Sequence, residues 1–491
     1  KLLFLDHEAL LDGGAYCSFG IATVYYSGSL LGAPYRLPNM RYRGTRVVTN
    51  KPACGAQRGH GGVVARALFE MQLDRLADEL GLDPIELRLR NVMEAGETTC
   101  NDLAMSSLGM RECLTAVQQQ SGWQDRRARR APGRGMGAAC GFFVSGAGYP
   151  IYRSRTPHAT VVIQADEAGG GIEVRCGCAE IGQGCETVLA TIAAEALGIS
   201  LDAVRVITGD STLSVDLGAY SSRTTLMAGH AARQAAESVK RQILEVVAGA
   251  IKVGADALDI RGSRVVNAQD GNPVNSDEIR TEYRKEHRGW DLRLDGQALT
   301  FTEASRLAFL ERGTIVGTGE YHPPRLGGQF KGAAVGTSPA YGCSAQVAEV
   351  SVDLETGRVK VDKITAAHDC GRAINRTQVE GQMHGCVSMG LGEALMEEVV
   401  YTADGKVANP TLADYRIPTA LDMPSIETII VESDEPNGPY GAKEVGEGGI
   451  MPTIPAILNA IYDATGVLVD ELPASPERIL AGLRKRAAET E

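Results

Sequence analysis

The amino-acid sequence predicts an α+β fold, because strands that pair as hairpins alternate with amphipathic helices along a chain of 491 residues. The clearest hairpin covers residues 345–371, where two alternating apolar and polar segments flank the turn "LETG". A long helix is predicted from Thr224 to Ile251. A chain of this length exceeds what one compact core holds, so two or more domains are expected.

The first part of the chain is predicted to contain strands and loops followed by two helices. Residues 1–62 alternate short apolar stretches with turn residues, which is typical of strands and loops. The first helix is expected to stop at Gly81, and the second to begin with Asp83 as its cap and Pro84 at its first position. The apolar face predicted for the first helix consists of Leu68, Met71, Leu76 and Leu80.

A basic stretch containing proline and glycine at 125–135 indicates a boundary between two domains, because it has neither helical nor strand periodicity. We therefore predict that residues 1–130 are the C-terminal part of a first domain and that residues 131–491 form a second domain. Strands and a helix are expected over 158–210. Residues 255–313 are polar and weakly patterned, and we expect a peripheral insertion there.

Small residues in one of the later helices and glycines in another predict close packing. The helix from Thr224 to Ile251 carries small side chains on one face, and the helix predicted over 377–398 is interrupted by glycines. Each glycine inside a helix costs about 1 kcal/mol relative to alanine, so several together indicate a neighbour at short distance. A final amphipathic helix is expected after Ser475. The small residues of the long helix are Ala228, Ala231, Ala232 and Ala235.

Composition argues against several classes of function. The formal net charge of -12 argues against nucleic acid as a partner. No apolar run approaches the roughly 18 residues of a membrane span, and no signal-peptide pattern is present. Eleven cysteines without a CxxC pair indicate reduced thiols in a cytoplasmic protein and argue against an iron–sulfur cluster on this chain. No GxGxxG follows a strand and no Walker motif is present, so the usual nucleotide sites are not predicted.

Several glycine-rich or polar motifs contain the candidate site residues. Glycines allow unusual backbone angles and close approach of a ligand, and neighbouring amide or guanidinium groups supply hydrogen bonds. Each motif alone is more often an ordinary turn, and a lone histidine such as His60 is more often structural, so their order along the chain carries the information. The cofactor-binding candidates are Gln57, Arg58, Gly59, Gly182, Gln183, Gly184, Ser221, Ser222, Arg223, Thr224, Gln378 and Gly446.

Together these motifs resemble the molybdenum-cofactor (large) subunit of the xanthine dehydrogenase family, the molybdenum hydroxylases. "GAQRGHG" is similar to the family's loop beside the metal, "IGQG" to its pterin-contacting loop, and "SSRTT" and "QVEGQ" to later cofactor-contacting segments. "VGEGG" is similar to the segment with the active-site glutamate, which is Glu447 here. The resemblance covers the chain apart from 255–313. It implies a two-domain molybdopterin-binding region in which the pterin dithiolene holds the molybdenum and the protein supplies no metal ligand.

Within that family, three segments resemble the 4-hydroxybenzoyl-CoA reductases: "NKPACGAQRGHG", "SFGIATVYYSGSL" and "PPRLGGQFKGAAVGTSPAYG". This resemblance implies that Tyr26 and His60 face the substrate and that Glu447 handles protons. The implied reaction is reductive dehydroxylation of 4-hydroxybenzoyl-CoA, or a related aromatic acyl-CoA, to benzoyl-CoA in anaerobic aromatic degradation.

The resemblance also implies cofactors and partners. We expect molybdopterin cytosine dinucleotide on this chain, with [2Fe-2S] clusters on a small iron–sulfur subunit and FAD on a flavin subunit. A ferredoxin-like protein would supply electrons. The family's "GGFGGK"-like loop is absent from this sequence, so a separate chain or segment is expected to contribute it.

Two alternatives remain open from the sequence. The first is a molybdenum hydroxylase of an aromatic heterocycle, purine or aldehyde that uses water as its oxygen donor. The second, from another class, is a non-catalytic scaffold subunit, which would contain no molybdenum. An assay with 4-hydroxybenzoyl-CoA and elemental analysis distinguish these possibilities.

Overall fold

The computed structural model separates into two compact units. The first unit comprises Lys1–Arg153 and Pro324–Glu491, and the second comprises Ser154–Pro323. This division by compactness does not test the predicted domain boundary at residue 130, which stays a prediction. The residues that the structure describes are 1–128, 131–146, 157–166, 170–210, 212, 216, 218–277, 279–280, 294, 297–324, 326 and 336–490.

Helices and strands are interleaved along the described residues, which confirms the α+β prediction. In chain order the strands are β1 (Leu5–Asp12), β2 (Met40–Val47), β3 (Arg134–Val144), β4 (Ala159–Ala165), β5 (Ile172–Cys176), β6 (Val204–Ile207), β7 (Leu258–Arg261), β8 (Arg264–Asn267), β9 (Val316–Tyr321), β10 (Tyr341–Val352), β11 (Val359–Asp369) and β12 (Ser425–Val431). The helices are α1 (Gly20–Ser29), α2 (Gly62–Leu80), α3 (Pro84–Leu89), α4 (Met110–Gln120), α5 (Trp123–Ala128), α6 (Cys185–Leu197), α7 (Thr224–Ile251), α8 (Phe301–Arg312), α9 (Arg376–Leu395), α10 (Thr453–Thr465) and α11 (Pro476–Thr490).

The first unit is built on a four-stranded sheet in the order β12-β11-β10-β3. Strand β10 is antiparallel to β3 and β11, whereas β11 and β12 are parallel. Helix α10 packs directly on β3, where a Cβ added to Gly137 would lie 2.2 Å from the backbone nitrogen of Ala460. Near the start of β10, Ser344 Oγ donates to the carbonyl of Gly448 at 2.8 Å, and Gln346 Nε2 donates to that of Gly449 at 2.8 Å. This end of the sheet therefore supports the segment that carries Glu447.

The second unit has a four-stranded sheet in the order β6-β5-β4-β9 and the separate hairpin β7-β8. Helix α7 packs against this sheet through its small side chains. A Cβ added to Gly319 of β9 would lie 2.0 Å from the carbonyl oxygen of Ala231, and one added to Gly317 would lie 2.3 Å from that of Ala235. Alanines on the helix and glycines on the strand thus allow the two backbones to approach closely.

We predict that Gly319→Val lowers the free energy of unfolding by about 3 kcal/mol, because the new side chain must push α7 away from the sheet. Urea unfolding of the purified protein measures this loss. Gly249→Ala is the matched control, because Gly249 is an exposed glycine of α7 with open space around it. The control is expected to be neutral or to gain up to about 1 kcal/mol. Equal stability of the two variants would contradict the packing argument.

Most predicted elements are confirmed, including the hairpin of β10 and β11, the helix Thr224–Ile251 and the final helix after Ser475. Helix α2 ends at a left-handed Gly81, and the Asp83 side chain caps α3 by accepting two backbone N–H groups. The segment predicted over residues 377–398 forms α9. Residues 325 and 327–335 of "PPRLGGQFKGAAVGTSPAYG", and part of the segment 255–313, lie outside the described residues.

Two predictions about the first part of the chain are wrong. Residues 20–29 form helix α1 within the stretch assigned to strands and loops. The predicted apolar face of α2 is misplaced, since Leu68 and Leu80 are exposed. The buried face of α2 contains three charged side chains among its apolar residues: Arg66 pairs with Glu70, and Asp74 pairs with Arg88 of α3. An apolar pattern does not identify such positions as buried.

Two further observations bear on the composition arguments. In the described part of the chain, no helix is both long enough and apolar enough to cross a membrane. All eleven cysteines lie among the described residues, and each is a free thiol.

Candidate active site

Two motifs that are far apart in sequence meet in the first unit at Glu447. The backbone N–H of Gly59 donates to Glu447 Oε1 at 3.2 Å. Arg58 Nε donates to the carbonyl oxygen of Gly446 at 2.5 Å, and another nitrogen of Arg58 donates to Gln382 Oε1 at 2.8 Å. The Glu447 side chain is partly buried. The structure therefore brings Arg58, Gly59, Gly446 and Glu447 together, and their roles at a cofactor site stay predictions.

Glycines shape the loop that contains Arg58. Gly59 and Gly61 have φ values of 80° and 75°, in the left-handed region that side chains disfavour. A Cβ added to Gly61 would lie 2.2 Å from the carbonyl oxygen of Thr23 in α1. The loop can therefore turn toward Glu447 and at the same time press against α1.

His60 and Tyr26 are neighbours in the first unit. Their ring centroids are 5.3 Å apart, and the His60 ring also lies 5.1 Å from that of Phe19. Nε2 of His60 is 3.0 Å from Oγ1 of Thr23. Burial lowers the pKa of His60, and a hydrogen bond with the backbone of Phe19 offsets only part of this shift. His60 is therefore a neutral imidazole near pH 7.

Gln57 contacts a carboxylate that the sequence analysis did not single out. Its Nε2 donates to Glu393 Oε1 at 2.8 Å. Burial, reinforced by the nearby charge of Glu397, raises the pKa of Glu393 to about 7. Glu397 in turn accepts a hydrogen bond of 2.7 Å from the hydroxyl of Tyr415. Glu393, whose pKa is about 7, thus contacts Gln57, the residue directly before Arg58.

The raised pKa of Glu393 predicts a pH dependence of stability. The folded state retains the proton between the unfolded value of about 4.5 and the folded value of about 7, so this carboxyl contributes most below pH 4.5 and its contribution falls as pH rises to about 7. We expect Glu393→Gln to gain stability relative to the wild type between pH 5 and pH 8, on the order of 2 kcal/mol after allowing for partial exposure. Urea unfolding across this range measures the difference. A difference that does not change with pH would contradict the assignment.

Gln378 lies in the first turn of α9, where its backbone N–H donates to the capping side chain of Asn375 at 3.1 Å. The side-chain oxygen of Gln378 is buried and has no hydrogen-bond partner among the described residues. Buried acceptors are usually paired in folded proteins, so an unpaired one calls for a water, an ion or a ligand. Gln382, four residues later, accepts from Arg58, so the two glutamines lie on the same side of α9.

The predicted loop Gly182–Gly184 lies in the second unit, before α6. The amide of Gln183 is bonded within the loop: it accepts from the backbone N–H of Ile181 at 2.6 Å and donates to the carbonyl of Ala179 at 2.9 Å. The carboxylate of Glu180 accepts from the N–H groups of Gly182 and Gly184 at 2.8 and 3.0 Å. The loop therefore has a preformed shape that its own side chains maintain.

The predicted segment Ser221–Thr224 leads into α7 in the same unit. Ser221 and Ser222 have positive φ angles of 56° and 49°. Arg223 is buried, donates to the carbonyl of His158, and lies 3.3 Å from the hydroxyl of Tyr220. Arg223 thus stabilises its own unit. Thr224 is the first residue of α7 and is partly buried.

The sequence analysis missed Glu393, Gln382 and Glu444. Gln382 follows Gln378 by one helical turn, and that spacing could have identified it. Glu444 lies three residues before Glu447 in the same motif, but its role depends on contacts that are described below. Among the described residues, no group of three His, Cys, Asp or Glu side chains is arranged to hold a metal ion.

Comparison with known proteins assigns this architecture to a class. The pattern of the family described as "Molybdopterin cofactor-binding domain" matches residues 1–92 and residues 116–424. The chain therefore belongs to the molybdopterin cofactor-binding family.

Individual relatives and solved structures are similar to this chain over nearly all of its length. The xanthine dehydrogenase molybdenum-binding subunit of Escherichia coli O157:H7 is 34% identical over 97% of this chain and 60% of its own length. Subunit gamma of the 6-hydroxypseudooxynicotine dehydrogenase complex of Paenarthrobacter nicotinovorans is 28% identical over 99% of this chain and 59% of its own length. The crystal structure of quinoline 2-oxidoreductase from Pseudomonas putida 86 superimposes with a TM-score of 0.84, at 26% identity, over 98% of this chain and 60% of the other.

These similarities correspond to the large, molybdenum-binding subunit of the molybdenum hydroxylase family, as the motifs predicted. The chain spans about 60% of the length of these relatives. The finer resemblance to the 4-hydroxybenzoyl-CoA reductases stays a prediction.

The described residues fit a pterin cofactor at the beginning of α9. The unpaired side-chain oxygen of Gln378 is an acceptor that a pterin amino or ring N–H group would satisfy. The neighbouring Gln382 is already engaged by Arg58, which leaves Gln378 as the acceptor of the pair that is open to a ligand.

Proposed function

We propose that this chain is the molybdenum-cofactor-binding part of a hydroxylase in which Glu447 handles the proton of the reaction. The observation that carries this proposal is the hydrogen bond of 3.2 Å from the Gly59 N–H to the Glu447 carboxylate, which holds that carboxylate against the loop that contains Arg58. A carboxylate fixed at one oxygen by a backbone donor has the orientation that general base catalysis requires.

The names of the relatives favour a nitrogen-containing heterocycle as substrate. Xanthine and quinoline, which appear in two of these names, are both aromatic nitrogen heterocycles. Hydroxylation of such a ring with water as the oxygen donor is the main proposal. This choice places the hydroxylase, an alternative in the sequence analysis, ahead of reductive dehydroxylation.

Reductive dehydroxylation of 4-hydroxybenzoyl-CoA is the second candidate, because Tyr26 and His60 lie side by side. In that reaction a neutral His60 and the phenol of Tyr26 would act as hydrogen-bond donors to the negative charge that develops on the ring and its oxygen. Burial lowers the pKa of His60 and favours its neutral form, which suits a donor of this kind.

When bound, the molybdenum cofactor supplies the oxidation–reduction chemistry. Gln378 would accept a hydrogen bond from the pterin, and the loops at Gly182–Gly184 and Ser221–Thr224 are proposed to contribute further contacts. Glu447 would accept a proton of the water that supplies the oxygen, and the hydrogen and two electrons of the substrate C–H bond that is broken would leave through the oxidation–reduction chemistry of the cofactor. Arg58 keeps Glu447 in place through the carbonyl of Gly446.

The cofactor form and the partners are part of this proposal. We propose molybdopterin cytosine dinucleotide on this chain, and a small iron–sulfur subunit with [2Fe-2S] clusters together with a flavin subunit. The relative from Paenarthrobacter nicotinovorans, named as the subunit gamma of a complex, supports an assembly of several chains. A further segment or chain is proposed to complete the cofactor site.

The test is an assay of the purified native complex with xanthine, quinoline and 4-hydroxybenzoyl-CoA. Turnover of a heterocycle, with oxygen from ¹⁸O-labelled water in the product, is the expected result. Formation of benzoyl-CoA in the presence of a strong one-electron donor, without hydroxylation of either heterocycle, would favour the second candidate. A complex without molybdenum by elemental analysis would support the non-catalytic scaffold and overturn both proposals.

A further inference from the structure

We propose that Glu444 is the positioning residue of the site, because its carboxylate fixes the backbone turn that aims Glu447. This inference rests on the proposed function, since the placement of Glu447 matters only if Glu447 takes part in the reaction. Glu444 lies three residues before Glu447, and its side chain is inaccessible to solvent.

The contacts of Glu444 connect the turn to the central sheet. Its Oε2 accepts the backbone N–H of Glu447 at 3.3 Å and that of Gly448 at 3.2 Å. The N–H of Glu444 itself donates to Oγ of Ser145, just after β3, at 2.9 Å. Its carbonyl oxygen is 2.9 Å from Nε2 of His368, a buried residue of β11. The backbone of Glu444 is thus held by β11 and by the residue that follows β3. Its carboxylate in turn holds the N–H groups of Glu447 and Gly448.

Two glycines from separate segments leave room for this carboxylate. A Cβ added to Gly448 would lie 2.1 Å from Glu444 Oε1, and one added to Gly342 of β10 would lie 2.3 Å from the same atom. The glycine after Glu447 therefore has a reason within the protein, which is to make space for Glu444. Within the "EGG" of the motif, Gly448 packs against the side chain of Glu444.

The environment of Glu444 is costly for a group with only a packing role. Its Oε1 is buried and has no hydrogen-bond partner among the described residues, and Nε2 of His368 is 3.5 Å away. Nδ1 of His368 is likewise buried and has no partner in the part of the chain that the structure describes. Unsatisfied buried polar groups destabilise a fold, and they concentrate where function requires a particular geometry. Glu444 and His368 lie next to the turn that contains Glu447, which fits that pattern.

Glu447 is consequently fixed from three directions. The Gly59 N–H binds its carboxylate, Arg58 binds the carbonyl of the preceding residue, and Glu444 binds its backbone N–H. A displacement of about 1 Å at a reacting group can cost on the order of 10²-fold in rate. Loss of the contact from Glu444 should therefore lower kcat and leave substrate binding nearly intact.

Two variants of the native complex separate the hydrogen bonds of Glu444 from its charge. Glu444→Gln keeps an acceptor oxygen at the same position but removes the negative charge. Glu444→Asp keeps the charge, but its carboxylate is one methylene shorter and falls short of the two N–H groups. Both variants fit the existing space. Hydrogen–deuterium exchange of the segment 442–452, followed by mass spectrometry, reports on the turn independently of activity.

We expect Glu444→Asp to lower kcat about 10- to 100-fold with KM changed less than about 3-fold, since a misplaced reacting group costs rate more than binding. The amides of Glu447 and Gly448 should exchange at least about 10-fold faster in this variant, because their acceptor is lost. Glu444→Gln should remain within about 3-fold of the wild type in kcat and in exchange. Glu349→Asp is the control: Glu349 is a buried carboxylate of β10 that pairs with Arg126, and this variant should leave exchange of 442–452 unchanged.

Unchanged amide exchange in Glu444→Asp would overturn the proposal, as would a loss in Glu444→Gln equal to that in Glu444→Asp. The second result would assign the effect to charge. Failure of the proposed function is distinguishable, because Glu447→Gln would then retain full turnover while the exchange measurement still decides whether Glu444 fixes the turn.

Discussion

Glu447→Gln is expected to lower kcat by about 10²- to 10⁴-fold, the range that general acid–base catalysis contributes, while the protein keeps its fold and its cofactor. Glutamine has nearly the same size as glutamate and retains an oxygen that can accept the Gly59 N–H, which is 3.2 Å from the carboxylate. It cannot accept a proton from the reacting oxygen near neutral pH. The loss corresponds to roughly 3–5 kcal/mol of transition-state stabilisation.

Steady-state kinetics of the native complex measure this effect, and elemental analysis of molybdenum in the same preparation shows whether the cofactor is retained. Glu86→Gln is the matched control, because Glu86 is an exposed glutamate that pairs with Arg90 on the surface. This control should retain wild-type turnover. Unchanged kcat in Glu447→Gln would remove Glu447 from the mechanism, and loss of molybdenum would reassign it to cofactor retention.

The part of the site around Glu447 could be predicted from sequence because it consists of motifs with chemistry of their own. Arg58 and Glu447 each lie among glycines, and such settings suit a polar group that must approach another backbone closely. The structure places both motifs in contact within the first unit. The motifs at Gly182–Gly184 and Ser221–Thr224 lie in the second unit, and their roles stay predictions.

Glu444 could not be assigned from sequence because nothing local distinguishes it from a surface glutamate. Its role depends on Gly342 of β10, His368 of β11 and Ser145 just after β3, all more than 70 residues away. The reason for the glycine at position 448 is equally non-local. A Cβ at this position would lie 2.1 Å from Glu444 Oε1, so the need for glycine depends on how the rest of the fold places the Glu444 carboxylate.

Helices α1 and α2 illustrate two other limits of sequence patterns. Helix α1 contains glycine, serine, threonine and tyrosine, which have weak helix propensity, so tertiary packing stabilises it. In α2, the buried charged residues Arg66, Glu70 and Asp74 are exceptions to the rule that charged residues face solvent. A one-dimensional apolar pattern then selects the wrong face, because Arg88, the partner of Glu70 and Asp74, lies on the next helix.

Arg88→Met is expected to lower the free energy of unfolding by about 3–5 kcal/mol, the cost of removing one partner from a buried ionic group. Arg88 is inaccessible to solvent: its Nε donates to Glu70 Oε2 at 2.8 Å, and another of its nitrogens lies 2.6 Å from Asp74 Oδ1. Glu70 also accepts from the hydroxyl of Tyr35 at 2.8 Å and from the backbone N–H of Cys140 at 3.1 Å. Arg66 would remain 3.7 Å from Glu70 Oε1, but the hydroxyl and N–H donors cannot replace a cation, so methionine would leave Asp74 in the core without its ion-pair partner.

The pH dependence of this loss identifies its cause. Burial raises the pKa of Asp74 to about 6 even with Arg88 beside it, and removal of the guanidinium would raise this pKa further. The folded variant would therefore bind a proton at Asp74 as pH falls, and the destabilisation should be smaller at pH 5 than at pH 8. Arg90→Met is the matched control, since Arg90 is exposed and its ion pair with Glu86 is worth no more than about 0.5 kcal/mol. Urea unfolding of both variants at the two pH values tests the prediction; a loss below about 1 kcal/mol, or one that is equal at both pH values, would show that the buried carboxylates do not depend on Arg88 for their charge balance.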